Sequence, residues 1–578
     1  MNSKNGGVMI DSMVRSILQD ITIKDILEAI NKKHGNKPAL RIKNDDGAFR
    51  EISFVKLGRR VVSISSALIN LGINKGDRVA ILSENRPEWA CAYFGILSCG
   101  GIILPLDVKL SDTEVEFILN DSRAKCIFLS AKYAGTIDRI RNVLPYLENI
   151  ILLDKTDRDD LIQMGKLRPH RGKERTRHIY PSDTAIVVYT SGTTGVAKGV
   201  EISCKNLLFQ VSEFSRIMAI TPKERLLSVL PLNHMLEITG GLIAPLYIGS
   251  CVTYCDTLKT NELLPIIREA GITAIICVPL VLKMLYSSIM KKVSRLPGYK
   301  RAAFDMLFKL SKYLLMRNIW AGRILFRSVH KEFGHRLRIF ISGGAPLDSE
   351  VEIGLSALGF RILQGYGLTE TGPVISVNTL EDRRFGSVGK PLPGVEVMIL
   401  REKSSDSGGE ILTRGPHVMK GYYRNPEKTS EVLRNGWLHT GDLGYIDEDG
   451  FLFISGRKKN LIVLGGGKKV FPEEVESVIG ASPYIKEICV MPRTAARGLR
   501  EGHEEVFAVI VPNLEILEGR GIASREEISR IITSELARLG GKLAPYKRIT
   551  AFDISYEELP KTVTKKIIRP AVSRMVAK

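Results

Sequence analysis

A chain of 578 residues is too long for one ordinary hydrophobic core, so two or more domains are expected. With 44% apolar and 25% charged residues the make-up is that of a globular protein, and no segment offers the roughly 18 uninterrupted apolar residues of a membrane span. The 83 Lys and Arg against 63 Asp and Glu give a net charge of +20, which attracts polyanions such as nucleotides, anionic headgroups or nucleic acid without choosing among them.

The N-terminal stretch MNSKNGGVMIDSMVRS has no long apolar run before a small-residue cleavage site, so a cytoplasmic protein is expected. GDRVAILSEN (76–85) reads as a strand after a turn, WACAYFGILSCG (89–100) as a helix, and AKCIFLS (124–130) and ENIILLD (148–154) as strands. Strands alternating with helices predict an α/β architecture with largely parallel sheets. The basic stretch from Lys166 to Arg177 lacks apolar periodicity and reads as an exposed connection. Eight cysteines, at 91, 99, 126, 204, 251, 255, 277 and 489, follow no CxxC spacing and read as small buried hydrophobes in a reducing compartment. Metal ligation by Cys251 and Cys255 is the lesser reading.

The apolar strand TAIVVY runs into YTSGTTGVAKG (189–199), which combines glycines, a run of hydroxyl side chains and one lysine. Glycines let backbone N–H groups approach phosphate oxygens, hydroxyls add donors, and Lys198 adds positive charge. The spacing is not that of a Walker loop. Further along, PLNHMLEITGGLIAPLYIGS (231–250) leads from His234 into an apolar helix. Residues 291–338 hold thirteen Lys and Arg against two acids, a local +11. Within them Ala303, Met306, Leu307, Leu310, Tyr313 and Leu314 fall on one helical face, with Lys309 and Lys312 opposite. Two readings stay open: a surface helix packed on its own core, or an element docking on a membrane surface.

SGGAPLD (342–348), QGYGLTETGP (364–373), WLHTGDLGYID (437–447), GRKKNLIVLGGGKKVFPEEVE (456–476) and PKTVTKKIIRP (560–570) complete the series. After Gly456 the chain changes to short strands and helices, which places a boundary between a large domain, 1–456, and a small α+β domain, 457–578.

The glycine-rich segment resembles the phosphate-binding signature of the adenylate-forming superfamily, which comprises acyl-CoA synthetases, peptide adenylation domains and luciferases. The other signatures follow in that family's order, so the resemblance covers nearly the whole chain. With ENRPEW (84–89) and PLD (105–107), it is most like the long-chain fatty acid–CoA ligases. The resemblance implies a large N-terminal α/β domain and a small, mobile C-terminal α+β domain. It assigns Thr190, Ser191, Gly192, Thr193, Thr194, Gly195 and Lys198 to the ATP phosphates. Gly343, Gly344 and Ala345 would line the adenine pocket and the acyl carboxylate. Tyr366, cleared by Gly365 and Gly367, would stack on adenine, Thr369 would bind the α-phosphate, and Glu370 would hold Mg²⁺. Asp442 would accept both ribose hydroxyls, and Arg457 would reach ribose and phosphate. His234 would border the acyl and thiol tunnels, Lys459 would mark the hinge, and Gly465 and Gly466 would approach the pantetheine arm. In the last signature Lys565 stands where the family has glycine, so Lys566 aligns as the lysine bridging carboxylate and phosphate.

The activity so implied converts a carboxylic acid, a medium- to long-chain fatty acid, to acyl-AMP and then to its coenzyme A thioester, releasing pyrophosphate and AMP. An acyl-AMP ligase or an acyl–acyl-carrier-protein synthetase shares the same signatures. A basic membrane- or nucleic-acid-binding protein keeping an inactive ligase fold is the reading of another class. The retained Lys198, Glu370, Asp442, Arg457 and C-terminal lysine speak against it. The expected partners are fatty acid, ATP and coenzyme A, with an acyl carrier protein as alternative acceptor, peripheral contact with an anionic inner membrane surface, and no specific nucleic acid.

Overall fold

A computed structural model describes residues 23–158, 160–168, 177–190, 197–218, 221–257, 259–401, 408–464, 468–494, 504–561 and 567–576. The chain divides into two compact units. One comprises the described residues up to Glu396 together with Thr413–Leu438, and the other Val397–Leu412 with the described residues from His439 onward.

The first unit contains two large sheets, one antiparallel at a single margin and the other at both, with parallel strands elsewhere. The eight-stranded sheet runs in the order Gly421–Tyr422, Lys198–Ser203, Thr184–Thr190, Ile102–Leu106, Arg78–Leu82, Cys126–Leu129, Asn149–Leu152 and Ile162–Gln163. From Thr184–Thr190 onward the pairs are parallel, and the two pairs on the other side are antiparallel. The inner strands are apolar on both faces, as parallel strands covered by helices must be; Val79, Ala80, Ile81, Ile127 and Phe128 are wholly buried. The helix Pro87–Ser98 is buried along its whole length, which explains why its sequence is apolar on every side. Pro87 starts it, since a first-turn proline lacks only an N–H that would have no helical partner. Glu88 is carried in with it and is neutralised by Arg50 and Arg86.

The nine-stranded sheet has the order Lys390–Pro391, Ser376–Val377, Arg361–Tyr366, Ile339–Ser342, Ala274–Cys277, Arg225–Ser228, Cys251–Tyr254, Pro38–Lys43 and Phe49–Ser53. Six consecutive strands, from Arg361–Tyr366 to Pro38–Lys43, are parallel. Ser342 lies opposite Gln364, so the segments after Ile339–Ser342 and within QGYGLTETGP leave neighbouring strands at the same, C-terminal edge. That edge is where open α/β sheets bind ligands.

The basic region contains the helix Gly298–Met316. Its packed face carries Phe304, Phe308, Ser311 and Leu315, with Phe304 tilted against Phe326 and Phe308 meeting it edge-on. Of the row read from the sequence, Leu307 packs against this core, whereas Leu310 does not. Met306, Leu310 and Tyr313 point to solvent, while Leu307 and Leu314 are half-buried. Two apolar stripes of equal period share this helix, and the one with the larger aromatic rings is the one that packs.

All eight cysteines are free, and seven are buried. Cys251 opens the strand Cys251–Tyr254 and Cys255 follows its last residue, and among the described residues no group of three or more His, Cys, Asp or Glu is placed to hold a metal ion. Part of the basic connection, residues 169–176, lies outside the described residues.

The second unit contains a three-stranded sheet, Ile485–Thr494, Glu504–Pro512 and Ala551–Ile554. The helices Pro472–Ile479 and Arg525–Gly540 belong to the same core: Val475, Ile479 and Ile532 join Val490, Val506 and Ile510. The antiparallel strands Trp437–Ile446 and Leu452–Arg457 precede it in the chain. Among the described residues no helix is long and apolar enough to cross a membrane.

Candidate active site

The glycine-rich segment is anchored at both ends. Thr190, closing the strand Thr184–Thr190, lies opposite Lys198, which opens the antiparallel strand Lys198–Ser203, and Tyr189 lies opposite Gly199. Ser191, Gly192, Thr193, Thr194 and Gly195 fall outside the described residues. The Tyr189 hydroxyl donates to Asp121, and burial together with that carboxylate holds its pKa above the ordinary phenol range. Gly199 has no room for a side chain: a Cβ there would lie 2.8 Å from Val187 Cγ1 and 3.1 Å from Tyr423 Cβ.

The strand Gly421–Tyr422 pairs with Val200 and Glu201, bringing Tyr422 to the end of the anchored segment. Lys198 Nζ stands 5.2 Å from the centre of the Tyr422 ring, and the Tyr422 hydroxyl donates to Glu370 Oε1 at 2.9 Å. Burial, and then the Glu370 charge, raise the Tyr422 pKa, so at neutral pH the phenol is a donor. Two backbone bonds reinforce the link. Met419 N–H donates to the Glu370 carbonyl at 2.9 Å, and Tyr423 N–H to the Gly199 carbonyl at 2.7 Å. Lys198 and Glu370 are thus gathered around one tyrosine absent from every motif quoted above. The GYY at 421–423 gives no local hint, because its partner is distant in sequence.

Glu370 sits in the single turn Thr369–Thr371, whose shape is fixed from below. The Gln210 amide donates to the carbonyls of Thr371 and Val374 at 2.8 and 2.7 Å. Gly367 is required here, since a Cβ would lie 1.8 Å from the Pro373 carbonyl oxygen. Tyr366, Gly367, Leu368, Thr369 and Glu370 are all half-exposed, whereas Thr371 is buried. The side chains that would meet a ligand and the one that holds the turn are therefore sorted by burial.

Gly343 packs against Leu236 and the Gly365 carbonyl; a Cβ would approach them at 3.2 and 3.5 Å. The two glycine-bearing strand ends are therefore in contact, with Gly344, at φ +82°, and Ala345 exposed beyond them. On the far side of Leu236 the chain forms a π-helical stretch, Glu237–Ile243, where a plain helix was expected. Buried Glu237 fills the widened turn, so that a Cβ on Gly241 would lie 2.4 Å from its Cδ. Burial pushes the Glu237 carboxyl up to about 8.

Asn85 positions His234. Its side chain donates to the Leu230 carbonyl at 2.6 Å and accepts from Leu232 N–H at 2.9 Å, while Asn233 donates to Asp107 at 3.3 Å. The ENRPEW, PLD and PLNH segments are thereby tied together. His234 Nε2 is buried without a hydrogen-bond partner among the described residues, and burial lowers the ring's pKa. At neutral pH it is an uncharged imidazole.

The remaining candidates belong to the second unit. Asp442 and Arg457 face each other across the antiparallel pair, with Arg457 Nε 2.6 Å from Asp442 Oδ1 and Asp442 only 4% exposed. Lys458 and His439 approach Glu410 at 3.1 and 3.7 Å, and Asn460 donates to Glu473 at 2.8 Å. Gly465, Gly466, Lys565 and Lys566 lie outside the described residues. The residues flanking the two lysines are fixed to this unit: Lys561 bridges to Ile567 and pairs with Glu487, and Arg569 pairs with Glu476 at 2.6 Å.

Glu370 fits a magnesium ion of a particular kind. One carboxylate oxygen is held by Tyr422, and no cluster of further acids surrounds it among the described residues. Such a site suits a hard cation that takes one or two protein carboxylates and otherwise keeps phosphate and water oxygens.

Residues 27–423 match the model of the AMP-binding enzyme family. A long-chain-fatty-acid–CoA ligase of Mycobacterium bovis is 32% identical over 464 residues, covering 77% of this chain and 76% of that protein. Another from Bacillus subtilis is 27% identical over 572 residues, covering 90% and 89%. Among solved structures, ATP-bound MatB from Rhodopseudomonas palustris superposes with a TM-score of 0.76 at 26% identity, covering 96% of this chain and 99% of that one. An anthranilate CoA ligase in complex with anthranoyl-AMP shares the fold with a TM-score of 0.79 at 24% identity, covering 97% and 98%.

Proposed function

Because the chain belongs to the AMP-binding enzyme family, we propose that it activates a fatty acid with ATP and transfers the acyl group to coenzyme A. The observation that supports this reading is the joining of Lys198 to Glu370 through Tyr422, a lysine and a carboxylate beside the glycine-rich segment.

The chemical obstacle is that a carboxylate is a poor electrophile. A carboxylate oxygen attacks the α-phosphorus of ATP, the bond to pyrophosphate breaks, and acyl-AMP forms. A coenzyme A sulfur, its proton released, then attacks the carbonyl carbon, and the carbon–oxygen bond to AMP breaks. Positioning and charge stabilisation do most of the work in such phosphoryl chemistry. When bound, Mg²⁺ neutralises phosphate charge. We assign its protein ligand to Glu370, with Tyr422 fixing the carboxylate's orientation.

Lys198 and the hydroxyls of residues 190–194 take the ATP phosphates, Thr369 the α-phosphate, and Tyr366 the adenine face. Asp442 and Arg457 take the ribose, and Lys566 joins the acid carboxylate to the α-phosphate. We place the functional domain division at 456/457, with Lys459 as hinge and Gly465 and Gly466 beside the pantetheine arm. His234, uncharged and backed by Asn233 and Asp107, borders the acyl channel without adding a second negative or positive charge near the carboxylate.

A carrier-protein phosphopantetheine thiol is chemically equivalent to that of coenzyme A, and the two acceptors can be compared directly. Purified protein given ATP, Mg²⁺ and acids from acetate to long-chain should yield acyl-CoA best with medium or long chains. Thioester formed only on a holo-carrier protein would move the assignment to a carrier-protein ligase. We also place the enzyme in the cytoplasm, in peripheral contact with an anionic membrane, the phase into which its acid substrate partitions.

A further inference from the structure

The outward side of the Gly298–Met316 helix is apolar where a surface helix is ordinarily polar. Tyr299, Met306, Leu310 and Tyr313 are 72%, 65%, 45% and 56% exposed, and they lie directly opposite the packed Phe304–Phe308–Leu315 side. Ile324, on the short helix Gly322–Leu325, is 74% exposed. Single exposed hydrophobics are ordinary, but a row on one helix face marks an interaction site.

Beside Ile324 a surface recess of about 360 Å³ is lined by Arg323, Arg327, His330 and His335. His330 is 2% exposed; its Nε2–H donates to the Leu358 carbonyl at 2.9 Å, leaving Nδ1 buried without a partner among the described residues. Arg323 donates to the carbonyls of Leu337 and His335, which fixes the wall of the recess. Phe326, between Arg323 and Arg327 in the chain, packs on Phe304 at 5.1 Å, so the recess is built against the same helix that carries the apolar row. Around both features residues 291–338 hold thirteen Lys and Arg against two acids.

We propose that the outer face of the Gly298–Met316 helix and the adjoining arginine–histidine recess dock on an anionic phospholipid bilayer, the apolar row entering the acyl boundary and the recess taking a lipid phosphate. The positive field selects anionic over neutral surfaces, and the guanidinium groups match a phosphate. A protein partner would have to be both apolar and strongly acidic on one face, whereas an anionic bilayer has both properties everywhere. This deepens the fatty acid–ligase reading and rests on it for its purpose: the docked enzyme would meet its substrate in the phase where that substrate resides.

Co-sedimentation with vesicles tests it, using phosphatidylcholine alone or mixed with phosphatidylglycerol. Four proteins are compared: the unaltered chain, a charge-neutral Met306→Ser/Leu310→Ser/Tyr313→Ser variant, Arg327→Ala and Arg327→Lys. The unaltered chain should bind the mixed vesicles at least about tenfold more tightly than the neutral ones. The triple variant should lose about tenfold or more on mixed vesicles, since three apolar side chains no longer enter the boundary. Arg327→Ala should lose several-fold on mixed vesicles only, with Arg327→Lys restoring part. Equal binding to both vesicle types, no binding, or a triple variant that binds like the unaltered chain would overturn the proposal. Lipid-free self-association abolished by the triple variant would overturn it in favour of a contact between copies. Acyl-CoA formation from a detergent-solubilised acid should be the same in all four. Its absence from the unaltered chain would instead sink the ligase reading, whatever the vesicles show.

Discussion

The Tyr422 hydroxyl donates to Glu370 Oε1 at 2.9 Å across 52 residues of sequence, and the same ring lies 5.2 Å from the Lys198 ammonium. Tyr422 is therefore the mechanical link between the glycine-rich segment and the carboxylate proposed to hold magnesium. Tyr422→Phe keeps the ring and removes only the donor. A hydrogen bond to a charged group contributes about 1.5–3 kcal/mol, so fatty-acid-dependent ATP–pyrophosphate exchange should fall roughly 10- to 100-fold. Glu370→Gln should also raise the magnesium concentration needed for half-maximal exchange, and the double variant should be less impaired than the product of the two single effects. Additive effects and an unchanged magnesium titration would separate Tyr422 from the metal site.

Lys566→Ala should lower acyl-adenylate formation by roughly 10²–10³, the scale for losing one preorganised electrostatic contact. Thioester formation from supplied acyl-AMP should suffer much less, and Lys565→Ala should be mild in both half-reactions. If Lys565→Ala is the damaging change, the alignment across the missing glycine is displaced by one residue.

Gly367→Ala should destabilise the first unit as well as the site, because the new methyl meets the Pro373 carbonyl oxygen, which is main chain and cannot rotate away. Forced overpacking typically costs about 1–3 kcal/mol, read as a lower denaturant midpoint with an unchanged slope. Gly441→Ala is the comparison: nothing lies within 4 Å of its would-be Cβ, although its φ of +69° is a strain of its own. A Gly367→Ala protein as stable as the parent would mean that the turn carrying Glu370 is looser than described.

Glu88 provides a pH dependence. Burial pushes its carboxyl up, but the hydrogen bonds and charges of Arg50 and Arg86 outweigh burial and hold it at about 2, against an ordinary 4.5. The stability it contributes is thus fully present above pH 4.5 and is lost as pH falls through about 2. In Glu88→Gln, stability should fall less steeply across that window, while the protein starts several kcal/mol lower at pH 7, roughly the 3–5 kcal/mol typical of breaking a buried ion pair. Parallel acid-unfolding curves for the two proteins would remove Glu88 as the cause.

The parallel-sheet architecture was legible from short apolar strands, and the helix Pro87–Ser98 lies two residues ahead of its expected span because ENRPEW contains its proline start. Local patterns also located Gly367, where a close approach to the Pro373 carbonyl demands glycine. Long-range partners were not legible. Nothing near Tyr422 points to Glu370, and nothing near Asn85 points to the PLNH turn, because both contacts come from sheet order rather than local spacing. The Gly298–Met316 helix misled for another reason. Its two apolar stripes have the same period, and only the aromatic packing of Phe304 and Phe308 on Phe326 decides which is inward. The π-helical turn at Glu237 likewise depends on a buried side chain filling the widened ring, which helical periodicity does not announce.

The most direct measurement is ATP–pyrophosphate exchange by the purified protein, followed without acid and with acids from acetate to long-chain, and then with coenzyme A added. The account predicts exchange only when a carboxylic acid is present, strongest with medium or long chains, and, on adding coenzyme A, equal amounts of acyl-CoA and AMP. Exchange that is absent with every acid, or that proceeds equally without one, would contradict it.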